Sequence, residues 1–419
     1  MKSNLLLASI MFTVVACLGA PTIAQQSEPA NWAQWRGPDR DGNFAGEPLP
    51  ETLDDSTLKK TWSKELGPSY SGPIVIEDRI FVTETRDKKY EVVTALDRES
   101  GDVIWEAQWE GSMRVPFFAA ENGSWIRSTP VWADGKLYVG GIRDVLVCLD
   151  SDSGKVIWKK DFPGETGSKN PDFGCASSPM VLDDALYVQA GGAFYKLNKD
   201  TGAVIWKALA DGGGMMGSAF ASPTVAELNG VRQLLVQTRS HLNGLDIKTG
   251  EVLWSQSVPS FRGMNILTPL VHDGNVFTSS YRNHSFMYSP VNNGGKWDVS
   301  EKWKVKKPAY MSTPVVKDGH VYMHLQNQRF TCIDLETGDT KWTSEPYGKY
   351  SSMIIQGDQV VALDQRGELI MFRATPEKFD LMSEHRVSDE ETWAHLAASG
   401  NELFVRELNA ISAFEFESK

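Results

Sequence analysis

The eleven residues ALDRESGDVIW (95–105) recur along the chain as CLDSDSGKVIW (148–158), KLNKDTGAVIW (196–206), GLDIKTGEVLW (244–254) and CIDLETGDTKW (332–342). Each copy starts with an apolar strand end, followed by an Asp or Asn whose side chain can accept hydrogen bonds from turn amides. A Ser/Thr-Gly pair then supplies a positive φ, and an alternating strand ends in tryptophan. The phrase therefore predicts a β-hairpin between the last two strands of a repeated unit.

The tryptophans that end these units lie 43, 53, 48, 48, 49 and 39 residues apart, which is the length of one four-stranded propeller blade. A second phrase predicts the first two strands of a unit, because it combines alternation with an Asp-Gly turn, as in STPVWADGKLYVGG (128–141) and STPVVKDGHVYMHL (312–325). The spaced tryptophans are Trp62, Trp105, Trp158, Trp206, Trp254, Trp303 and Trp342.

Eight units follow one another, and the last runs out of chain after three strands. The segment LKKTWSKEL (58–66) is a lone strand without partners before it, so pairing it with the last unit would close the ring and remove exposed edges. We expect an all-β, eight-bladed β-propeller of four-stranded antiparallel blades over residues 57–417, preceded by an extended strap over 25–56. The units begin near Ser71, Ser128, Ser177, Ala221, Leu267, Ser312, Ser351 and Trp393.

The first 24 residues are typical of a signal peptide, with Lys2 before an apolar run and Thr22-Ile23-Ala24 as a cleavage site. The alternative is a lipobox, in which Cys17 would be lipidated. Both interpretations predict export, to the periplasm or to a membrane as a lipoprotein, with membrane contact only through that lipid. The formal net charge of −12 argues against a nucleic-acid partner.

The repeated phrase resembles the tryptophan-docking motif of the PQQ-like (pyrroloquinoline quinone repeat) β-propeller family, over almost the whole mature chain. That family includes quinoprotein dehydrogenases and a propeller lipoprotein of the outer-membrane β-barrel assembly machinery. The resemblance implies that the seven spaced tryptophans dock between neighbouring blades. It is specific for fold and weakly specific for function.

A dehydrogenase of this family would need PQQ, calcium and a carboxylate base. In the long alcohol dehydrogenases of this family a disulfide between adjacent cysteines covers the quinone, and insertions between the repeats build the pocket. This chain has no adjacent cysteines and its loops are short, while its histidines are too scattered to form a zinc site. We therefore predict no catalytic residue, no metal site and no cofactor. The acidic turn at Asp150 is assigned to turn capping. Cys148 and Cys332 occupy opposite blades, so no disulfide is expected between them. A PQQ- and calcium-dependent oxidoreductase acting on an alcohol or sugar remains the alternative, with Arg127 and Asn265 as cofactor contacts.

The loops that enter the innermost strands converge on one mouth of the central channel. Their aromatic side chains either plug the funnel or form a binding mouth with a few polar groups. The second interpretation predicts an exported, non-enzymatic scaffold for a protein or peptide partner in the cell envelope, including outer-membrane protein assembly, acting as a monomer or as a subunit of an assembly. The predicted mouth residues are Tyr70, Trp125, Arg127, Phe173, Phe220, Asn265, Tyr310, Tyr350, Trp393 and His395.

Overall fold

A computed structural model describes residues 31–218 and 220–417, so the predicted signal peptide and Cys17 lie outside the described residues. The described chain forms eight four-stranded antiparallel sheets arranged as a propeller, which confirms the predicted fold class. In seven blades the strands follow one another in sequence order from the innermost to the outermost. The eighth blade has the order β1-β32-β31-β30, where β1 is Leu58–Glu65, β30 is Ala397–Ser399, β31 is Glu402–Arg406 and β32 is Ala410–Phe416.

The strands of the other blades have the following bounds. Blade one holds β2 (Ile74–Ile76), β3 (Arg79–Arg86), β4 (Tyr90–Asp97) and β5 (Val103–Glu110). Blade two holds β6 (Val131–Ala133), β7 (Lys136–Gly140), β8 (Val145–Asp150) and β9 (Val156–Asp161). Blade three holds β10 (Met180–Leu182), β11 (Ala185–Ala190), β12 (Ala193–Asn198) and β13 (Val204–Ala208). Blade four holds β14 (Thr224–Leu228), β15 (Val231–Gln237), β16 (His241–Asp246) and β17 (Val252–Ser257).

Blade five holds β18 (Leu270–His272), β19 (Asn275–Ser279), β20 (Ser285–Asn293) and β21 (Lys296–Val305). Blade six holds β22 (Val315–Lys317), β23 (His320–His324), β24 (Arg329–Asp334) and β25 (Thr340–Pro346). Blade seven holds β26 (Ser351–Gln356), β27 (Gln359–Asp364), β28 (Glu368–Arg373) and β29 (Asp380–Arg386). The described helices are α1 (Phe162–Thr166) and the short 3₁₀ turns Phe117–Asn122, Gly214–Met216 and Phe261–Gly263.

The closing blade joins the two ends of the propeller. Strand β1 pairs with β32 from Leu58 opposite Phe416 to Glu65 opposite Ala410. This pairing confirms that the N-terminal strand completes the last blade. The hydrophobic core lies between neighbouring blades rather than within one, as where Phe81 of blade one packs in the same cluster as Leu137 of blade two.

Most of the spaced tryptophans dock onto the turn of the next blade. The indole nitrogen of Trp105 donates to the carbonyl of Ser151, which follows the turn residue Asp150. Trp62, Trp158 and Trp303 repeat this geometry, with donor–acceptor distances of 2.9, 3.0 and 3.0 Å to Arg98, Lys199 and Leu335 respectively. Trp206 makes a longer contact of 3.4 Å to the carbonyl of Ile247.

Trp254 and Trp342 have different partners, because blades five and seven lack the repeated Ser/Thr-Gly turn that would receive them. Trp254 donates to the side chain of Gln233 in its own blade at 2.6 Å. Trp342 donates to the carbonyl of Thr375 in blade seven at 2.7 Å. Both rings are nevertheless buried. The packing role of the indole ring is therefore kept where the polar contact changes.

Substituting the turn glycine Gly154 by alanine is expected to reduce the free energy of unfolding by about 2–4 kcal/mol, because the residue has φ +70° and its new Cβ would lie 2.4 Å from the Trp105 ring. Gly135→Ala is the matched control, since Gly135 has φ +72° and no atom within 4 Å of the added Cβ. That control should lose about 1 kcal/mol, measured by urea unfolding followed by tryptophan fluorescence. Equal losses in the two variants would show that docking contributes nothing.

The strap lies across the end of the channel opposite the mouth. Trp32 exchanges backbone hydrogen bonds with Val75 in blade one, and the carbonyl of Ala33 accepts from Trp132 in blade two. Farther along, Phe44 donates its N–H to Ile355 in blade seven. The described part of the strap therefore ties together blades on both sides of the ring.

Candidate functional site

The central channel contains a cavity of about 260 Å³ with predominantly aromatic and apolar walls. It is bounded at the sides by the loops that enter the innermost strands of blades one to six and of blade eight, so these blades contribute to the wall by the same local geometry. Met264 and Met311 add flexible apolar surface. Seven of the ten predicted mouth residues line it: Tyr70, Arg127, Phe173, Phe220, Tyr310, Trp393 and His395.

The other three predicted mouth residues do not line the cavity. The amide of Asn265 donates to the carbonyls of Arg239 and Val258 at 3.1 and 3.0 Å, so it braces the loop instead of facing a ligand. Tyr350 stacks on Trp393 at 3.9 Å between ring centroids, and supports the wall from behind. Trp125 supplies its backbone carbonyl to Arg127. The sequence predicted these residues near the axis from their position in the repeat alone. Their side chains point away from the cavity, so they do not line it.

The floor of the cavity is formed by Trp35 of the strap. Its ring contacts His395 edge to face, with centroids 5.3 Å apart, and lies 5.6 and 5.3 Å from the guanidinium carbons of Arg36 and Arg40. Such cation–π contacts stabilise a buried indole beside charged groups. The repeats predicted this segment only as a strap, although the spacing of aromatic and basic residues in WAQWRGPDR was a signal for a packed plug.

The two arginines of the floor fasten the strap to two blades that are not neighbours. Arg36 donates to the carbonyl of Pro314 in blade six at 2.7 Å, and Arg40 donates to that of Pro179 in blade three at 3.0 Å. Burial lowers the pKa of Arg36 to about 10 and, together with the charge of Arg36, the pKa of Arg40 to about 9. Both remain cationic at neutral pH, so the floor carries positive charge in an acidic protein.

Arg127 is the charged residue among the described side chains that line the cavity. Its Nε and Nη2 atoms donate to the carbonyls of Trp125 and Gly123 at 3.2 and 3.0 Å, which fixes the guanidinium beside the Tyr70 ring. Burial lowers the pKa of Arg127 to about 10 and that of His395 to about 3. At neutral pH the cavity therefore presents a fixed cation and an uncharged imidazole.

A belt of hydroxyl groups around the channel joins the blades beside the cavity. The backbone N–H of Gly72 donates to Thr129, that of Thr129 to Ser178, that of Ser178 to Ser222, and that of Ser222 to Thr268, over 2.9–3.2 Å. The Ser or Thr before proline in the second repeat phrase is thus an acceptor for the preceding blade. The belt fixes the channel wall across blades one to five.

A calcium-bound quinone does not fit the residues of this cavity. Calcium prefers carboxylate and amide oxygens, and the described lining contains neither Asp, Glu, Asn nor Gln. Asn265, the amide expected to contact the cofactor in the dehydrogenase alternative, donates its Nδ2 to backbone carbonyls, and although its Oδ1 has no hydrogen-bond partner among the described residues, the residue does not line the cavity. Within residues 31–218 and 220–417, no three His, Cys, Asp or Glu side chains are grouped so that they could hold a metal ion.

The described cysteines are buried, and no described helix is suited to a membrane. Cys148, Cys175 and Cys332 are unpaired thiols. Cys175 contacts backbone carbonyls beside the channel, and burial raises its pKa. No helix in the described part of the chain is both long and apolar enough to cross a bilayer.

Comparison with known proteins gives one matching family. A family model described as "Outer membrane protein assembly factor BamB" matches residues 89–344. A protein of that name from Moranella endobia is 21% identical over 348 residues, covering 77% of this chain and 81% of its own length. The crystal structure of BamB from Moraxella catarrhalis has a TM-score of 0.62 at 15% identity, covering 86% of this chain and 98% of that one. A polyvinylalcohol dehydrogenase from Sphingopyxis is 29% identical over 208 residues, covering 46% of this chain and 30% of its own.

Proposed function

Because the chain belongs to the family described as outer membrane protein assembly factor BamB, we propose that it is a non-enzymatic propeller scaffold that binds a protein partner during the assembly of outer-membrane proteins. The proposal places it in the cell envelope, exported by residues 1–24. A lipid on Cys17 would hold it at a membrane, and without that lipid it would be periplasmic. It would work as a monomer or as one subunit of an assembly.

The observation that carries this proposal is the exposed apolar rim around the channel mouth. Phe117 is 90% exposed, and Phe118 beside it is 55% exposed while also lining the cavity. Met216 and Phe261 on neighbouring rim loops are exposed as well. Large apolar side chains around a concave, partly apolar opening mark a surface that another molecule covers. A polypeptide offers both the length to cover the rim and side chains to enter the mouth.

The test of this function is deletion of the gene in the cells that make the protein. We expect the amount of folded β-barrel protein in the outer membrane, measured by heat-dependent mobility on gels, to fall at least about twofold. Unchanged barrel levels, together with alcohol oxidation by the purified protein after addition of PQQ and calcium, would overturn the proposal in favour of the dehydrogenase alternative.

A rim variant connects this phenotype to the mouth. Phe117→Ser should fold normally, because an exposed side chain contributes about 0.5 kcal/mol or less to stability, yet it should restore barrel assembly less well than the wild type. Val156→Ser is the matched control, since Val156 is an exposed apolar residue on the outer strand of blade two, away from the mouth. Equal rescue by both variants would locate the partner surface elsewhere.

A further inference from the structure

One half of the mouth face has an unusual distribution of charge. The loops that enter the innermost strands and the turns between the second and third strands open on this face, as the hydrogen bonds from Phe261 to Tyr281 and from Tyr281 to Met264 show. From the turn between the second and third strands of blade four to the corresponding turn of blade six, these segments contain no Asp or Glu, although the whole chain has a net charge of −12. The loop that enters blade four contains one acid, Asp211, whose charge acts on Arg239. The segments are 238–241, 258–269, 280–284, 306–314 and 325–328, and their cations are Arg239, Arg262, Arg282, Lys306 and Lys307.

An aromatic path leads from this cationic rim into the channel. We call Phe261, Tyr281 and Tyr310 the rim ladder. Phe261 is 40% exposed, and its ring centroid lies 6.2 Å from that of Tyr281. Tyr281 in turn stacks on Tyr310 at 4.5 Å, and Tyr310 lines the cavity. The ladder is thus an unbroken series of ring contacts from solvent to the channel interior.

Two exposed arginines flank the outer end of the rim ladder. The guanidinium carbons of Arg262 and Arg282 lie 5.1 and 4.9 Å from the centroid of Phe261. Both residues have positive φ, at 53° and 57°, in turns that project from the blades. In the part of the chain that the structure describes, neither guanidinium forms an ion pair. A stacked guanidinium keeps its donor edge for a carboxylate, which it can bind with two hydrogen bonds.

The opposite side of the mouth carries the reverse charge. The loop that enters blade eight contains Asp389, Glu390 and Glu391 within 387–396. An anionic ligand is therefore attracted to blades four to six and repelled from blade eight. Because of this asymmetry, we expect a bound acidic chain to lie on the side of blades four to six.

We propose that the rim ladder with Arg262 and Arg282 binds an extended acidic segment of a partner polypeptide. Carboxylates of the segment pair with the two guanidinium groups, and an apolar side chain passes Tyr310 into the cavity. The site deepens the scaffold function proposed above and rests on it. A polypeptide fits better than a membrane surface, because the ladder descends into a recessed channel closed by Trp35, which a planar array of headgroups does not enter.

The binding test uses the purified protein and fluorescein-labelled peptides of twelve residues in fluorescence anisotropy titrations. The probe contains Glu and Asp with a central Phe, and its analogue has Gln and Asn in place of the acids. We expect the acidic peptide to bind at least about tenfold more tightly than the neutral one, and its affinity to fall with added salt. The double variant R262Q/R282Q should lose about tenfold in affinity for the acidic peptide, and Phe261→Ser about fivefold.

A control variant and a second ligand distinguish this site from a general effect of charge. Arg232→Gln removes a partly exposed arginine near the turn between the first two strands of blade four, away from the mouth, and should leave binding unchanged. Equal binding of the neutral peptide, or unchanged binding by R262Q/R282Q, would overturn the proposal. Binding to vesicles of anionic phospholipid without binding to the peptide would overturn it in favour of a lipid surface. If deletion of the gene still depletes folded barrels when the peptide fails to bind, the scaffold function stands and only this site is wrong.

Discussion

Arg406→Met should reduce the free energy of unfolding by about 3–5 kcal/mol, one of the largest effects expected of a single substitution in this chain. Arg406 is 1% exposed and joins the closing blade to blade one. Its Nη2 atom donates to the carbonyls of Gly67 and Thr83 at 2.6 and 3.2 Å. Its Nη1 atom donates to Leu408 and Ala410 at 3.2 and 2.8 Å. Methionine fills much of the space but removes all of these buried hydrogen bonds, although the carbonyl of Leu408 keeps the backbone N–H of Ser69 as a donor.

The measurement is urea unfolding at pH 7, with Arg232→Met as control. Arg232 is 53% exposed and makes one ion pair at 3.5 Å to an exposed Asp183, which contributes little to stability. Its loss should stay below about 1 kcal/mol. If Arg406→Met also lost less than about 1 kcal/mol of unfolding free energy, the junction between blades eight and one would not depend on the Arg406 guanidinium.

Asp144→Asn should stabilise the protein at alkaline pH and have little effect in acid. Burial raises the pKa of Asp144 to about 7, against the opposing effects of hydrogen bonds from Gly191 and Cys175. The folded state then holds a proton that the unfolded state loses above about pH 4. The contribution of the Asp144 carboxyl to the free energy of unfolding is therefore fully present below about pH 4 and is lost as the pH rises to about 7. Above that pH the loss reaches up to about 4 kcal/mol.

Asparagine reproduces the uncharged form, because one amide oxygen can accept from Gly191 as Asp144 does at 2.8 Å. It also tolerates the positive φ of 59° at this turn. The difference in unfolding free energy between variant and wild type, measured in urea, should grow in favour of the variant between pH 4 and pH 8. Asp150→Asn is the control with the opposite sign, since hydrogen bonds from Ser153 hold the pKa of that carboxyl below its usual range. A difference that does not vary with pH would contradict the burial of charge at Asp144.

The blade count and the closing strand could be predicted because each blade repeats the same local requirements. A turn amide acceptor, a residue with positive φ and a docking indole recur with a fixed spacing, and Gly154 against Trp105 is a direct example. Blade five departs from this phrase, and the partner of Trp254 could not be predicted there. Its acceptor Gln233 lies twenty-one residues earlier in the same blade, where nothing in the repeat distinguishes it.

The sequence could predict which loops form the candidate site, but not which of their side chains line the cavity. Repeat position brings the loops that enter the innermost strands to one mouth, and Tyr70, Phe173 and Trp393 of these loops line the cavity. Rotation of a side chain within such a loop is set by local hydrogen bonds, and Asn265 turns away for that reason. The floor escaped prediction because Trp35 belongs to a segment outside the repeats, and its ring meets His395 from the far end of the chain.

The pairing of β1 with β32 also determines when the protein can finish folding. Leu58 can pair with Phe416 only after every intervening blade has been synthesised. Bringing together such distant parts of a chain costs a large loop-closure entropy. During synthesis from the N-terminus, β1 therefore has no partner strand while the other blades form. We therefore expect ring closure to be the last step of folding, and a chain that stalls near its C-terminus would expose that edge to other molecules.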